Sequence, residues 1–299
     1  MALISDAMWN DMLTQRIEEP HAALTALRSR RRRPLLTDNR LFIVAADHTA
    51  RGMLGVPGEP FAMADRRRML EALAVALSVE GVDGVLASAD VAEDLALLGL
   101  LDERLLFGTM NRGGLAGASW ELDDRMTAYS AATLHSNGLD GGKVLLRLAD
   151  NDAGTALTIE RCATAVDQCA ALELPIMVEP LPYTVDPATG SAQLLDDDDA
   201  LLRAVAVGAG LGGTSTATWL KVPASRDPQR MLATTTLPAL ILGGTPGNDP
   251  EATYASWERS MEVPNVRGLV VGRSLLFPAD GDVESAVRRA ARIVRPKAH

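Results

Sequence analysis

Hydrophobic residues along the chain fall into short continuous runs separated by longer amphipathic stretches, the pattern of buried strands alternating with surface helices. Leu41 to Ala46 is the first run, apolar throughout as a strand buried on both faces must be, and it ends at Asp47-His48. Val82 to Ala87, Leu105 to Thr109, Lys143 to Leu148, Pro175 to Glu179, Ala217 to Pro223, Pro238 to Gly243 and Arg267 to Gly272 continue the series. Helical periodicity covers Met63 to Glu80, Val91 to Leu100, Glu121 to Ser136, Leu157 to Leu172, a segment opened by Asp196 to Asp199, and finally Val283 to Val294. A glycine-rich loop, Asn111 to Gly117, follows the third run, and a longer loop holding Tyr183 and Gly190 follows the fifth. This alternation spells a (β/α)8 barrel, a TIM barrel, in one domain over residues 39–299. Residues 1–38 read as an N-terminal helical extension, helical from Ser5 to Arg33 with a break at Pro20.

Charge narrows the function. The 29 Lys and Arg residues stand against 39 Asp and Glu, a net charge of −10, whereas a nucleic-acid partner calls for a basic face. The basic run from Arg28 to Arg33 is short and reads as a solvated face or as a dock for an acidic neighbour or subunit. No stretch of about 18 apolar residues and no basic-then-apolar leader is present, so a soluble cytoplasmic protein with no membrane partner is expected. Cys162 and Cys169 share one helical face, two turns apart, and read as small core residues. His21, His48, His135 and His299 are scattered, and neither they nor the cysteines have ligand spacing for zinc. A carboxylate magnesium site has no signature here, so no metal ligands are expected.

Lysine occurs only at positions 143, 221 and 297, and Lys221 lies inside an apolar run. A desolvated ammonium tends to lose its proton, whereas guanidinium stays charged, so a lysine here has nucleophilic use that arginine lacks. A lysine reaching from the strand end to solvent is the plain alternative. In a (β/α)8 barrel the chemistry sits where strands end and βα loops begin. Asp47, Asn111, Arg147, Asp150, Glu179 and Lys221 all fall at such ends, and Lys143 shares parity with Arg147. Carboxylates converging on a barrel lysine would carry the protons that imine formation and C–C cleavage require. The last two strands end in Gly243-Gly244 and Gly272-Arg273, where backbone N–H groups and a forked guanidinium suit a phosphate, with the Ser274 hydroxyl beside them.

The ordered set of segments resembles the class I, Schiff-base aldolases of the DeoC/LacD group, which includes tagatose-bisphosphate, archaeal-type fructose-bisphosphate and sulfofructose-phosphate aldolases. The segments are Ala45-Ala-Asp-His48, Gly142-Lys-Val-Leu-Leu146, Leu174-Pro-Ile-Met-Val-Glu179 with Tyr183 beyond it, Trp219-Leu-Lys-Val-Pro223 and Leu269-Val-Val-Gly-Arg273. The resemblance implies that Lys221 forms the imine, that Glu179 shuttles protons, that Asp47 assists acid–base steps and that Lys143 lowers the proton affinity of Lys221. Gly243, Gly244, Gly272 and Arg273 would hold the phosphate. Gly-Gly-Thr-Pro after the seventh strand is nearer the archaeal-type pattern, and the Arg-rich extension lies outside the shared one.

The expected reaction is cleavage of a phosphorylated keto sugar or keto acid to dihydroxyacetone phosphate and an aldehyde, with Glu179 or Tyr183 as base and no metal or cofactor. A ketose bisphosphate and the phosphorylated 2-deoxy-5-keto acid of inositol breakdown both fit, and the acid would need a further cation, for which Arg147 and Arg112 are candidates. The alternatives are a sugar-phosphate isomerase or epimerase in which Lys221 acts only as a charge, and a non-catalytic phosphosugar-binding barrel. Neither asks for a near-unique lysine at the sixth strand end. A homo-oligomer is possible, with the N-terminal helices as interface material.

Overall fold

In the computed structural model, residues 3–111, 115, 117–118, 120–244 and 249–296 are described. Arg112, Lys297 and His299 fall outside them, as do much of the Asn111 to Gly117 loop and the Thr-Pro after Gly244. The strands are β1 (Leu41–Ala45), β2 (Gly84–Ala87), β3 (Leu105–Thr109), β4 (Gly141–Ala149), β5 (Ile176–Val185), β6 (Ala192–Leu194), β7 (Thr218–Pro223), β8 (Ala239–Leu242) and β9 (Val266–Val271). All but β6 pair in parallel and close on themselves, β1 beside β2 at one side and β9 at the other, so the protein is a (β/α)8 TIM barrel.

The helices, in chain order, are α1 (Asp6–Glu18), α2 (Ala22–Ser29), α3 (Arg66–Ser78), α4 (Ala89–Leu97), α5 (Ala131–Ser136) and α6 (Gly154–Ala171). They continue with α7 (Asp198–Ala209), α8 (Pro228–Leu232), α9 (Pro250–Met261), α10 (Arg273–Leu276) and α11 (Val283–Val294). Asp197 caps α7 by accepting from the Ala200 amide, as the run of aspartates foretells. Cys162 and Cys169 are both buried on α6. None of the described helices is long and apolar enough to cross a membrane.

Alternation along the strands divides the core. One set of side chains packs outward against the helices. The other fills the barrel: Leu41, Ile43, Leu86, Phe107, Met177, Leu240 and Val270 form its lower layers, with Leu35, Leu36 and Trp219 against them. Leu145, Leu181, Leu242 and Tyr183 make a smaller apolar layer.

Three stretches depart from the hydrophobic pattern. The helix expected over Glu121 to Ser136 is reduced to α5, because Glu121 and Asp124 are drawn to Arg147 instead of lying on a helix face. Tyr183 lies in a strand and not in a loop, since β5 runs on and folds back as an antiparallel hairpin with β6. The N-terminal helices stop at Ser29, and the arginines beyond them are anchored one by one.

Those anchors lie at the amino-terminal face of the barrel. Asp140, just before β4, accepts from the Leu106 amide, from Arg30 at 2.5 Å and from Arg32 at 2.9 Å. Asp83, just before β2, accepts from the Phe42 amide at 2.7 Å, Arg33 at 2.9 Å and Arg295 at 2.8 Å. The acidic neighbour of the basic run is therefore the barrel's own floor, not solvent. Arg30 and Asp140 are both buried, so Asp140→Ala would strand a buried guanidinium and is expected to cost about 3–5 kcal/mol in urea unfolding. Arg31→Ala, which removes an exposed pair with Asp102, should cost less than about 1 kcal/mol, and similar losses in the two variants would refute the distinction.

Candidate active site

Inward parity brings Asp47, Lys143, Glu179 and Lys221 to the barrel axis from β1, β4, β5 and β7. Leu145 pairs with Glu179 across β4 and β5, while Val178 pairs with Leu220 across β5 and β7, so the glutamate lies between the two lysines. Lys143 Nζ sits 3.1 Å from Asp47 Oδ2 and 2.8 Å from Glu179 Oε2, and Lys221 Nζ sits 2.7 Å from Glu179 Oε1. All four residues are buried. The order Asp47, Lys143, Glu179, Lys221 is thus a chain of alternating charge that neutralises itself.

Position in that chain makes the lysines unequal. Burial opposes the charge of each. For Lys143 the flanking carboxylates of Asp47 and Glu179 more than offset burial, and its proton affinity is raised. Lys221 has one direct partner among the described residues; burial prevails, Lys143 repels it, and its proton affinity falls despite the attraction of Glu179. Lys143 is the fixed cation, and Lys221 is the amine that gives up its proton more readily. Burial would raise both carboxyls, yet the lysines hold them ionised, Asp47 far below the usual range and Glu179 lowered to about 2.

His48 follows Asp47 with its Nδ1 3.9 Å from that carboxylate, buried and without a hydrogen-bond partner among the described residues. Burial, opposed by Asp47 but assisted by Arg273 and both lysines, lowers it to about 3, so the ring is neutral at neutral pH. At the ends of β8 and β9, Gly244 has φ +67°, and a Cβ on Gly272 would lie 2.4 Å from the Ala45 carbonyl, so a side chain is strained at the first and blocked at the second. Arg273 is buried, donates to the Gly55 carbonyl at 3.1 Å and leaves Nε unpartnered among the described residues. Beside Gly243, Ser274 Oγ is buried and, among the described residues, unpartnered as well.

Other strand-end residues serve the wall. The Arg147 guanidinium, expected to meet substrate, instead donates from Nε and Nη2 to Asp124 at 2.9 and 2.8 Å, from Nη1 to Glu121 Oε1 at 2.9 Å, and to the Glu121 carbonyl. It is fully buried and stacks 5.4 Å from the Tyr183 ring, holding the loop before α5 against the barrel rim. Asn111 bonds both the amide and the carbonyl of Leu145, and Asp150 pairs with Arg203 at the surface. Among the described residues no group of three or more His, Cys, Asp or Glu side chains is placed to hold a metal ion.

A family model described as Cgl0159-like matches residues 39–291. The chain belongs to the Cgl0159-like family. A solved structure of Cgl0159 from Corynebacterium glutamicum is 47% identical to it, covering 98% of this chain and 99% of that one, with a TM-score of 0.95. The same fold, at 20% identity, is that of an archaeal fructose-1,6-bisphosphate aldolase whose catalytic lysine carries the carbinolamine intermediate of the substrate. That match covers 86% of this chain and 94% of the other, with a TM-score of 0.63. Fructose-bisphosphate aldolase from Slackia heliotrinireducens is 13% identical over 97% of this chain and 89% of its own, with a TM-score of 0.65. Comparison with curated proteins gives no match.

The buried charges give a pH dependence with a defined sign. Glu179 titrates near 2 in the folded protein, down from the usual 4.5, so the unfolded chain takes up its proton first as pH falls. Its contribution to stability is full above about pH 4.5 and is lost as pH falls through about 2. Chemical denaturation between pH 6 and about pH 2.5 should show a steeper acid loss in the parent than in Glu179→Gln, and equal slopes would contradict the assignment.

Proposed function

We propose that this protein is a class I aldolase that cleaves a phosphorylated keto sugar or keto acid through a Schiff base on Lys221. The observation that carries the reading is the buried row of charges in which Lys143 meets two carboxylates and Lys221, on the sixth barrel strand, meets one, with burial lowering the proton affinity of Lys221. The barrel shared with Schiff-base fructose-bisphosphate aldolases supports it as an analogy of fold.

In this reading neutral Lys221 Nζ attacks the substrate ketone and forms a carbinolamine. Glu179, 2.7 Å from that nitrogen, handles the protons as water leaves and the iminium forms. Glu179 titrates low because it faces two lysines, and conversion of Lys221 to a neutral amine weakens that attraction and raises its basicity when a proton must be moved. Glu179, or Tyr183 at the rim, then removes the proton from the hydroxyl of the carbon beyond the scissile bond. That C–C bond breaks, its electrons pass into the iminium to give an enamine, and the aldehyde departs. Protonation of the enamine carbon and hydrolysis return Lys221 and release the ketone, dihydroxyacetone phosphate.

Lys143 keeps its proton throughout and, with Asp47, holds Glu179 in register between the lysines. Gly243, Gly244, Gly272 and Arg273 receive the phosphate. A ketose bisphosphate and a phosphorylated 2-deoxy-5-keto acid are the substrates that fit this product.

Borohydride reduction in the presence of dihydroxyacetone phosphate, read by peptide mass spectrometry, should place a stable adduct on Lys221 and none in Lys221→Ala. Lys221→Arg should lose cleavage by at least about a thousandfold, since guanidinium retains the charge and not the amine chemistry. Activity retained in Lys221→Arg would favour an isomerase or epimerase, and ligand binding without any adduct would refute the aldolase reading.

A further inference from the structure

The residues that follow Asp47 contain a second group of unpartnered polar atoms. A 3-10 turn, His48–Arg51, leads from β1, and within it His48 Nδ1, Thr49 Oγ1 and Arg51 Nε are all buried without a hydrogen-bond partner among the described residues. The loop holding this turn is tied to the end of β9 by the bond from Arg273 to the Gly55 carbonyl, 3.1 Å long. His48 closes the gap between them: its Cε1 lies 2.7 Å from where a Cβ on Gly272 would stand.

The two arginines thus brought together have no carboxylate partner among the described residues, although most arginines of this chain have one. Arg51 stands near enough to Arg273 and Lys143 for its charge to work against both, behind the effect of burial at Arg273 and of burial at Lys143. Mutually repelling guanidiniums with unsatisfied donors are stabilised by an anion placed between them, and a phosphate dianion accepts from both forks.

We propose that residues 48–51 and residues 272–274 are the two jaws of one oxyanion clamp, in which Arg51 and Arg273 take the substrate's phosphate from opposite sides and His48, Thr49 and Ser274 complete its hydrogen bonds. The inference rests on the aldolase reading for the identity of the substrate but not for the anion chemistry. It makes the first βα loop a specificity element for phosphorylated over unphosphorylated ketones.

Calorimetric titration with inorganic phosphate and with dihydroxyacetone phosphate, on the parent, Arg51→Ala and Arg51→Lys, tests the clamp. Arg51→Ala should weaken both ligands on the order of 10- to 100-fold, and Arg51→Lys by less, since charge remains and the fork is lost. Borohydride trapping of unphosphorylated dihydroxyacetone should fall much less in both variants than trapping of dihydroxyacetone phosphate. Arg51 has no side-chain hydrogen bond or ion pair to lose among the described residues, and the rise in melting temperature that phosphate gives the parent should be clearly smaller in Arg51→Ala. Undiminished phosphate affinity in Arg51→Ala, or an equal loss of dihydroxyacetone trapping, would overturn the clamp. Arg51-dependent phosphate binding with no lysine adduct for either ketone would keep the clamp and remove the aldolase.

Discussion

Two ammonium groups and two carboxylates inside an apolar barrel can stay ionised only by neutralising one another. That requirement sets the geometry of the protein's centre. With the carboxylate of β5 placed between the lysines of β4 and β7, and the aspartate beyond β1 on the far side, every charge has an opposite neighbour, and of the two lysines Lys143 has two while Lys221, at the end of the row, has one. The functional asymmetry is then a matter of counting neighbours, not of any special property of lysine. Four strands must be in register for the row to form, so the barrel's closure and the site's electrostatics are one condition.

Most of the fold could be read from the chain because parallel strands buried on both faces leave continuous apolar runs, and each of these runs became a barrel strand. The reactive strand ends were legible for the same reason. Asp47, Glu179 and Lys221 interrupt or terminate runs that have no other charged residue, and strand parity then brings Lys143 inward with them. What escaped was anything decided by distant pairing. The periodicity after Trp120 was helical, but Arg147 drew Glu121 and Asp124 inward, and nothing local marks that exchange. The same network answers why Arg147, well placed by position, is not free for a substrate. Arg51 was missed because it lies past the end of a strand in a turn with no periodicity, and its distinguishing property is a lack of partners, which only coordinates reveal.

The two ends of the barrel treat arginine in opposite ways. At the floor, Arg30, Arg33 and Arg295 are matched to Asp83 and Asp140, each aspartate also accepting a strand amide, so cation, anion and sheet form one network that leaves only Arg30 Nε of these arginines buried and unpartnered among the described residues. At the mouth, Arg273 has one backbone acceptor and Arg51 has none assigned among the described residues. Satisfied polar networks confer rigidity, whereas unsatisfied donors in a cleft retain their capacity for a ligand. The division between a stabilising face and a reactive face, general for this architecture, is written here in the partners of a single residue type.

The floor network also bears on how the chain acquires its shape. Arg30 bonds an aspartate 110 positions further along, and Arg295 reaches Asp83 from 212 positions away. Helices α1 and α2 meet α3 and α4, close in sequence, through pairs such as Arg16 with Asp94, whereas the arginines after them need the segments that carry Asp83 and Asp140. Contacts of such sequence separation form late, after the loop entropy between them has been overcome. The N-terminal arm is thus held at two ranges, by neighbouring helices and by aspartates of the barrel floor far along the chain.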